Sequence, residues 1–501
     1  MGDKLKEKML GALAWSSVDR VAQQVVQLVI GIALARLLSP TDYGLMGMVM
    51  IFAALSYVLV EGGFNYALVR TKNLDDRYTN TVFYTNMAVS VTLYLILFFG
   101  APLIADFFEQ PRLTDIARVT FLAILFNAAY LVPFAIIGKN MDYKSLAKTN
   151  IIGTLCGGLL GILLAWRGYG VWALVAQQTG YHFFRIFGFY WYTRWRPRLM
   201  FSFGIIREFG SFTLPILGSS LLTVIFNNLY TFLLGKYYPI RQVGYYTQAY
   251  KVSDAANFMF VSILNSTTYN LFAQIHEQRD RVARILRTMS HRSSLIIFPI
   301  VGCLILIAKP LFFSLFGEKW LAAVPYFQLL CAANLLTPLY QMMGNALNAI
   351  GKSKVTLTLE VIKRSLIVCS VFIVFLWLDK DITALLIGYI LANYIAFVCS
   401  MICISHFLST PIYNQLGDLI HGLMIGGVCG LTAWGMSHLV GMIFPDNLYV
   451  ACATVAATAF VTYLLLIRFV FKDLWQSVMS LLQSKINIGK NTQAENDDPT
   501  E

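Results

Sequence analysis

The chain has 501 residues, 57% hydrophobic and only 13% charged; soluble globular chains run nearer roughly 25% charged, so a soluble domain is excluded. Its hydrophobic stretches reach about 20 residues or more without long alternating patterns, which excludes a barrel and predicts an all-α polytopic membrane protein. The net charge of +12 would point to nucleic acid in a soluble protein; here it reads as the Lys and Arg excess of cytoplasmic loops, and no nucleic-acid partner is expected.

The N-terminal Lys4, Lys6 and Lys8 resemble the start of a signal peptide, but the following segment is too long and too polar for an h-region and reads as retained. In the first span, Arg20, Gln23, Gln24 and Gln27 share one helical face beside Asp19. Such a stripe does not face lipid; it looks into protein or a water-filled cavity, which points to a transporter rather than an anchor. Breaks at charge, Pro and Gly place about fourteen spans along the chain. They lie near 12–37, 42–68, 79–104, 114–138, 145–166, 170–193, 207–235, 241–271, 290–309, 321–350, 353–378, 381–408, 417–440 and 447–470. After the last span, Leu474 to Leu482 form an amphipathic stretch suited to a membrane surface, and Gly489–Glu501 is polar and acidic, as in disordered tails.

Loop charge supports an even number of spans. Segments that fall on the N-terminal side of the membrane hold roughly 24 basic residues against roughly 9 opposite, as expected if both termini are cytoplasmic. There is also an internal echo. Gly11 to Gly44 and Gly210 to Gly244 each run from a small residue through an apolar span to a basic residue (Arg36, Lys236). A Pro turn (Pro40, Pro239), then Tyr and Gly, complete each copy. Six spans separate them, so the copies point the same way, the pattern of parallel repeats with a substrate path between two bundles.

Nine ionisable residues fall inside the spans: Asp19, Arg20, Glu61, Arg185, Lys251, Asp254, Glu360, Lys363 and Arg364. Exposing all of them to lipid would cost on the order of 25 kcal/mol, so most face inward. Counting from the nearest loop at about 1.5 Å per residue, Lys251, Lys363 and Arg364 lie roughly 14–15 Å deep, near the midplane, whereas Arg20 and Arg185 are shallow enough to snorkel. Lys251 with Asp254, and Glu360 with Lys363 and Arg364, are spaced for ion pairs on one helix. Basic residues outnumber acidic ones in the set, which suits an anionic ligand, and a guanidinium suits a phosphate oxygen fork. Glu61, before Gly62-Gly63, fits a helix end at the interface better than a coupling role. Asn334, Gln341, Asn345 and Asn348 along span ten, with Asn227, Asn228, Tyr230, Tyr245, Tyr246, Gln248, Tyr250 and Asn257 in spans seven and eight, are of types that bind sugar rings and equally of types that glue helices together. The eight cysteines and six histidines show no disulfide or metal spacing, and no cofactor is expected. No Walker A, G-x-S-x-G or external carboxylate pair occurs, and connections are too short for a membrane polymerase or ligase of glycans.

GALAWSSVDR, LARLLSPTDYGLMGM, EGGFNYALVRTK and FGEKW (316–320) resemble the polysaccharide transporter family of the multidrug/oligosaccharidyl-lipid/polysaccharide flippase superfamily, nearest to its bacterial colanic-acid and O-antigen types, with the likeness running through all the spans. FGEKW by itself also fits an interfacial Trp anchor followed by a turn. The resemblance implies an N-terminal six-helix bundle (1–202), a second six-helix bundle (203–408), two additional helices (409–471) and a cytoplasmic tail (472–501). It implies transport of an undecaprenyl-diphosphate-linked oligosaccharide from the cytoplasmic to the periplasmic leaflet of the inner membrane, as in lipopolysaccharide biosynthesis. The expected partners are that lipid, membrane lipids and other polysaccharide-assembly membrane proteins. On this reading Arg20, Lys251, Lys363, Arg364 and Arg185 meet the diphosphate, and Asp19, Glu61, Asp254 and Glu360 are the candidates for ion coupling. A drug antiporter of the same superfamily is the alternative, though its cationic cargo favours a cavity rich in carboxylates.

Overall fold

A computed structural model of the chain describes residues 2–71, 75–377, 381–443 and 448–470. All regular structure in these residues is helical. In chain order come α1 (Gly2–Leu37), α2 (Pro40–Glu61), α3 (Phe64–Arg70), α4 (Asp76–Phe107), α5 (Leu113–Thr120), α6 (Leu122–Lys139), α7 (Tyr143–Trp166), α8 (Trp172–Thr193), α9 (Phe203–Tyr237) and α10 (Ile240–Gln274). They are followed by α11 (Arg279–Leu306), α12 (Ala308–Phe316), a 3-10 turn (Glu318–Ala323), α13 (Val324–Asn334), α14 (Thr337–Ala349), α15 (Ser353–Trp377), α16 (Ile382–Leu408), α17 (Ile412–Ile443) and α18 (Leu448–Val470). Each of the expected spans falls on helix, and among the described residues ten helical segments are long and apolar enough to cross a membrane. The chain is an all-α polytopic membrane protein. Large apolar side chains such as Phe99, Leu103, Leu376 and Trp377 stay exposed on the helices, as a lipid-facing surface requires.

Three expected spans are broken. Span two stops at Gly62 and Gly63, both with positive φ (50° and 76°), a conformation open to glycine at little cost. Span four divides between α5 and α6, and span ten into the 3-10 turn, α13 and α14. Span nine begins at Arg279 rather than near 290. Its first turns bury Val282, Ala283 and Leu286 on one side while Arg279, Arg281, Arg284 and Arg287 lower the average hydropathy that a span search reads. The stretch from Leu474 onward lies outside the described residues.

The chain forms two compact units, one of residues 1–248 with 315–323, the other of 249–314 with the remainder from 324. In the first, α7 packs against α8 through a stripe of small residues. A Cβ on Gly153 would lie 2.6 Å from Arg185 Cγ, on Gly157 2.6 Å from the Tyr181 nitrogen, and on Gly161 2.9 Å from Gln177 Cβ. Lipid offers helices no hydrophobic reward for pairing, so close backbone approach over small residues supplies the attraction. Gly157→Ala is expected to lower stability by about 1–3 kcal/mol in a detergent unfolding titration, because the neighbour is backbone and cannot turn aside. Gly138→Ala on α6, which meets nothing within 4 Å, is the control and should be neutral or mildly stabilising.

The two echo segments meet each other within this first unit. α2 starts with a capping box: the Ser39 nitrogen and hydroxyl donate to Asp42 Oδ2 at 2.9 and 2.6 Å, and Pro40 occupies the first turn. A methyl group on Gly44 would overlap the Ile240 carbonyl oxygen, and one on Gly244 would overlap the Pro40 carbonyl oxygen. Gly47 faces Thr247 in the same contact. Each copy therefore offers the other what it receives, as across a two-fold axis.

Polar clamps beside this contact repeat the exchange. Arg36, ending α1, donates to the Leu315 carbonyl at 2.8 Å. Lys236, ending α9, donates to the Phe107 carbonyl at 2.7 Å and pairs with Glu109 at 3.0 Å. Glu109 and Gly317, each two residues beyond one of those carbonyls, both take positive φ. The FGEKW motif closes the α1 terminus. Lys319 Nζ donates to the carbonyls of Arg36 and Leu38 at 2.8 and 2.6 Å, and Trp320 Nε1 to that of Ala35 at 2.9 Å. Trp320 is fully buried, edge-on to Tyr43 at 5.1 Å. It is a helix-end cap satisfying orphan carbonyls, not an interfacial anchor.

In the second unit, α17 lies along α11, where Cβ atoms on Gly422 and Gly426 would come within 2.8 Å of Ser294 and 3.2 Å of Phe298. Asp418 joins the two helices by pairing with Arg287 at 2.8 Å, with His291 alongside. α18 packs onto α17 through Ala433, Val455 and Ala459.

Candidate functional site

Five of the nine ionisable residues expected inside spans belong to the second unit. Glu360, Lys363 and Arg364 sit on successive turns of α15, half-buried. The Arg364 Nε lies 3.8 Å from Glu360 Oε2, a long i,i+4 pair, and Lys363 Nζ lies 4.9 Å from the centre of the Tyr340 ring on α14. Tyr389 of α16 is within electrostatic reach of both Arg364 and Asp254, so Asp254 belongs to the same neighbourhood. Lys251, three residues before Asp254, is on an exposed face of α10 like Asp254 itself.

Beside this charged group is a cavity of about 270 Å³ lined by Asn265, Tyr340, Gln341, Asn345, Asn348 and Glu360, among others. Gln341, Asn345 and Asn348 are spaced by four and three residues and so share one face of α14. Asn265 of α10 donates to Gln341 Oε1 at 2.8 Å, and Asn345 donates to Asn265 Oδ1 at 2.9 Å and to Thr268 Oγ1 at 3.1 Å. The amides thus cross-link α10 and α14 and also face open space. Asn334, expected on the same wall, is the last residue of α13; the break after it turns its amide to Ser253 at 3.4 Å.

The other four lie in the first unit. Arg185 corrects the expectation of a shallow, snorkelling side chain: it is buried on α8. Its guanidinium lies 4.5 Å from the Tyr130 ring centre, 4.9 Å from Tyr181 and 5.1 Å from Phe189. It donates to the Tyr130 hydroxyl at 2.8 Å, which also meets His182 Nδ1 at 2.9 Å. Its Nε has no hydrogen-bond partner among the described residues. Glu61 is the last residue of α2, exposed, and within electrostatic reach of Arg185. Asp19 is buried and accepts from Gln23 at 2.6 Å and Asn150 at 3.1 Å, which makes it a cross-link between α1 and α7. Arg20 is exposed on α1.

Sequence reading missed Tyr130, His182, Asn150, Asn265 and Tyr340. The spacing of His182 and Arg185 on one helix face was the available signal for the first cluster. Asn265 carried none, because its partners are on another helix about 80 residues away.

This fold is shared with solved membrane transporters. The lipid II flippase MurJ in an inward closed conformation superposes with a TM-score of 0.72 at 15% identity, covering 91% of this chain and 99% of that one. An inward-facing multidrug resistance MATE transporter gives 0.59 at 18% identity, over 80% and 99% of the two chains. The chain belongs to the polysaccharide biosynthesis protein family, whose sequence profile matches residues 33–325. It is 24% identical over 327 residues to the succinoglycan biosynthesis transport protein ExoT of Rhizobium meliloti, covering 65% of this chain and 66% of that one. It is 22% identical over 378 residues to the lipopolysaccharide biosynthesis protein WzxC of Escherichia coli, covering 74% and 75%. The chain thus spans from about two thirds to three quarters of the length of these relatives.

Proposed function

We propose that this protein flips an undecaprenyl-diphosphate-linked oligosaccharide, a surface-polysaccharide repeat unit, from the cytoplasmic to the periplasmic leaflet of the bacterial inner membrane. The observation that carries this reading is the placement of Lys363 and Arg364 in the middle of α15, half-buried beside a hydrogen-bonding cavity. Glu360 offsets one of these two cations on the same helix, and a diphosphate suits the positive charge that remains. Arg364 presents a planar fork to phosphate oxygens, and Lys363 adds a point charge. The long Arg364–Glu360 pair is weak enough to open when phosphate arrives, with Glu360 holding the guanidinium in the empty state.

The polyprenyl tail remains in lipid while residues 1–202 and 203–408 act as two bundles rocking about the headgroup, with 409–471 as added helices and both termini cytoplasmic. The names of the relatives, a succinoglycan transport protein and a lipopolysaccharide biosynthesis protein, support a glycan cargo. No bond of the cargo changes; the protein stabilises a charged headgroup in a low-dielectric interior that would otherwise exclude it.

Purified protein in liposomes loaded with hexosyl-undecaprenyl diphosphate tests this. Inner-leaflet sugar should become accessible to an impermeant oxidant over time, and only in vesicles that hold the protein. Equal rates in protein-free vesicles would refute the reading.

A further inference from the structure

Residues 194–202 join α8 to α9 without forming a helix. They are held along the start of α4. The Arg198 main-chain nitrogen donates to Asn80 Oδ1 at 2.5 Å, the Arg198 guanidinium pairs with Asp76 at 2.8 Å, and the Ser202 nitrogen donates to Thr81 Oγ1 at 3.1 Å. Trp195 packs edge-on against Phe83 at 5.4 Å. The side chains between these pinned positions are left in the open: Leu199 is 92% exposed, Phe201 57% and Phe203, which opens α9, 77%. Arg194 and Arg196 are exposed on the same linker, and among the described residues neither pairs with a carboxylate.

A loop in water hides its bulky apolar groups, and this one cannot, because its main chain is tied to α4. A contiguous exposed apolar patch of this kind marks a surface that something else covers. Two features say what covers it. The end of α8 that feeds the linker exposes Phe187 and Trp191 as well, so the patch extends a helix face that meets acyl chains. The polar side chains interleaved with the apolar ones are arginines, whose planar forks match phosphate oxygens. Arginine and apolar residues alternating within one short segment fit a layer that is charged on one side and apolar on the other, which is the headgroup boundary of a bilayer.

We propose that the linker between α8 and α9 is an interfacial anchor for acidic phospholipid. Leu199, Phe201 and Phe203 enter the boundary between headgroups and acyl chains, and Arg194 and Arg196 hold the lipid phosphates. The anchor concerns the surrounding bilayer and not the cargo, so it goes beyond the transport reading and stands without it. Because α4 holds the linker, one contact with lipid sets the height of α4, α8 and α9 in the membrane together, and the charge of the lipid governs how firmly.

Full-length protein in nanodiscs tests this, with a genetically encoded fluorescent amino acid in place of Leu199. The control carries the same probe in place of Glu277, which is exposed before α11. Discs contain phosphatidylcholine alone or with phosphatidylglycerol added, and two quenchers are compared: lipid brominated on its acyl chains, and aqueous iodide. At position 199 the brominated lipid should quench and iodide should not; at position 277 the order should reverse. Adding phosphatidylglycerol should raise the ratio of lipid to iodide quenching at position 199. Arg194→Gln combined with Arg196→Gln should lower that ratio in the acidic discs by about fivefold per arginine, the worth of one such charge near an acidic surface. In phosphatidylcholine alone the double variant should match its parent. Iodide quenching at position 199 as strong as at position 277 overturns the anchor. A ratio indifferent to phosphatidylglycerol, or to the loss of both arginines, removes the acidic lipid and overturns the proposal with it. Quenching by neither agent would mean that protein covers the linker, such as a second copy of this chain, and overturns it as well.

Discussion

Flipping of a hexosyl-undecaprenyl diphosphate is expected to fall by about tenfold in Lys363→Gln and in Arg364→Gln, and by about a hundredfold when both are changed, at matched protein level in liposomes. A hydrogen bond to a charged group is worth about 1.5–3 kcal/mol, and each 1.4 kcal/mol is a factor of ten. Arg364→Lys should fall between wild type and Arg364→Gln, because it keeps the charge and loses the two-pronged geometry. Removing Arg364 also takes away the partner 3.8 Å from Glu360, so a folding defect has to be separated from a binding one. Glu360→Gln combined with Arg364→Gln removes both charges; it should recover normal protein levels and remain deficient in flipping. Wild-type rates in the Lys363/Arg364 double variant would take both residues out of the mechanism.

Gly44→Ala and Gly244→Ala are each expected to destabilise the protein by about 3 kcal/mol or more, and the double substitution by clearly less than the sum. Either methyl would overlap a main-chain carbonyl, of Ile240 or of Pro40, and a carbonyl cannot rotate away as a side chain does. Once one methyl has pushed the two turns apart, the second meets a contact already opened, so the coupling energy is large. A double-mutant cycle in a denaturant titration measures it. Strict additivity would mean that the two glycines are packed independently, against the reciprocal contact described above.

Much of the architecture was written in local chemistry. Long apolar runs located helix at every expected span, and Ser39-Pro40 with Asp42 marked the start of α2 through a capping box that needs only neighbouring residues. The site was legible where it too was local: Glu360, Lys363 and Arg364 share a helix, as do Gln341, Asn345 and Asn348. Arg185 was misplaced because depth was counted along the chain from the nearest loop. Its burial comes from Tyr130, 55 residues away on α6, as well as from its own helix. Asn265 was passed over for the same reason, its role being set by α14. The role of Trp320 was left open between a motif residue and an interfacial anchor, because the carbonyls of α1 that claim its indole are about 285 residues earlier.

The exchange between the Pro40–Gly44 and Ile240–Gly244 segments makes each glycine answerable to main chain outside its own helix. A surface complementary to its own copy is satisfied only in pairs, so a side chain gained at either glycine spoils the fit of both segments at once.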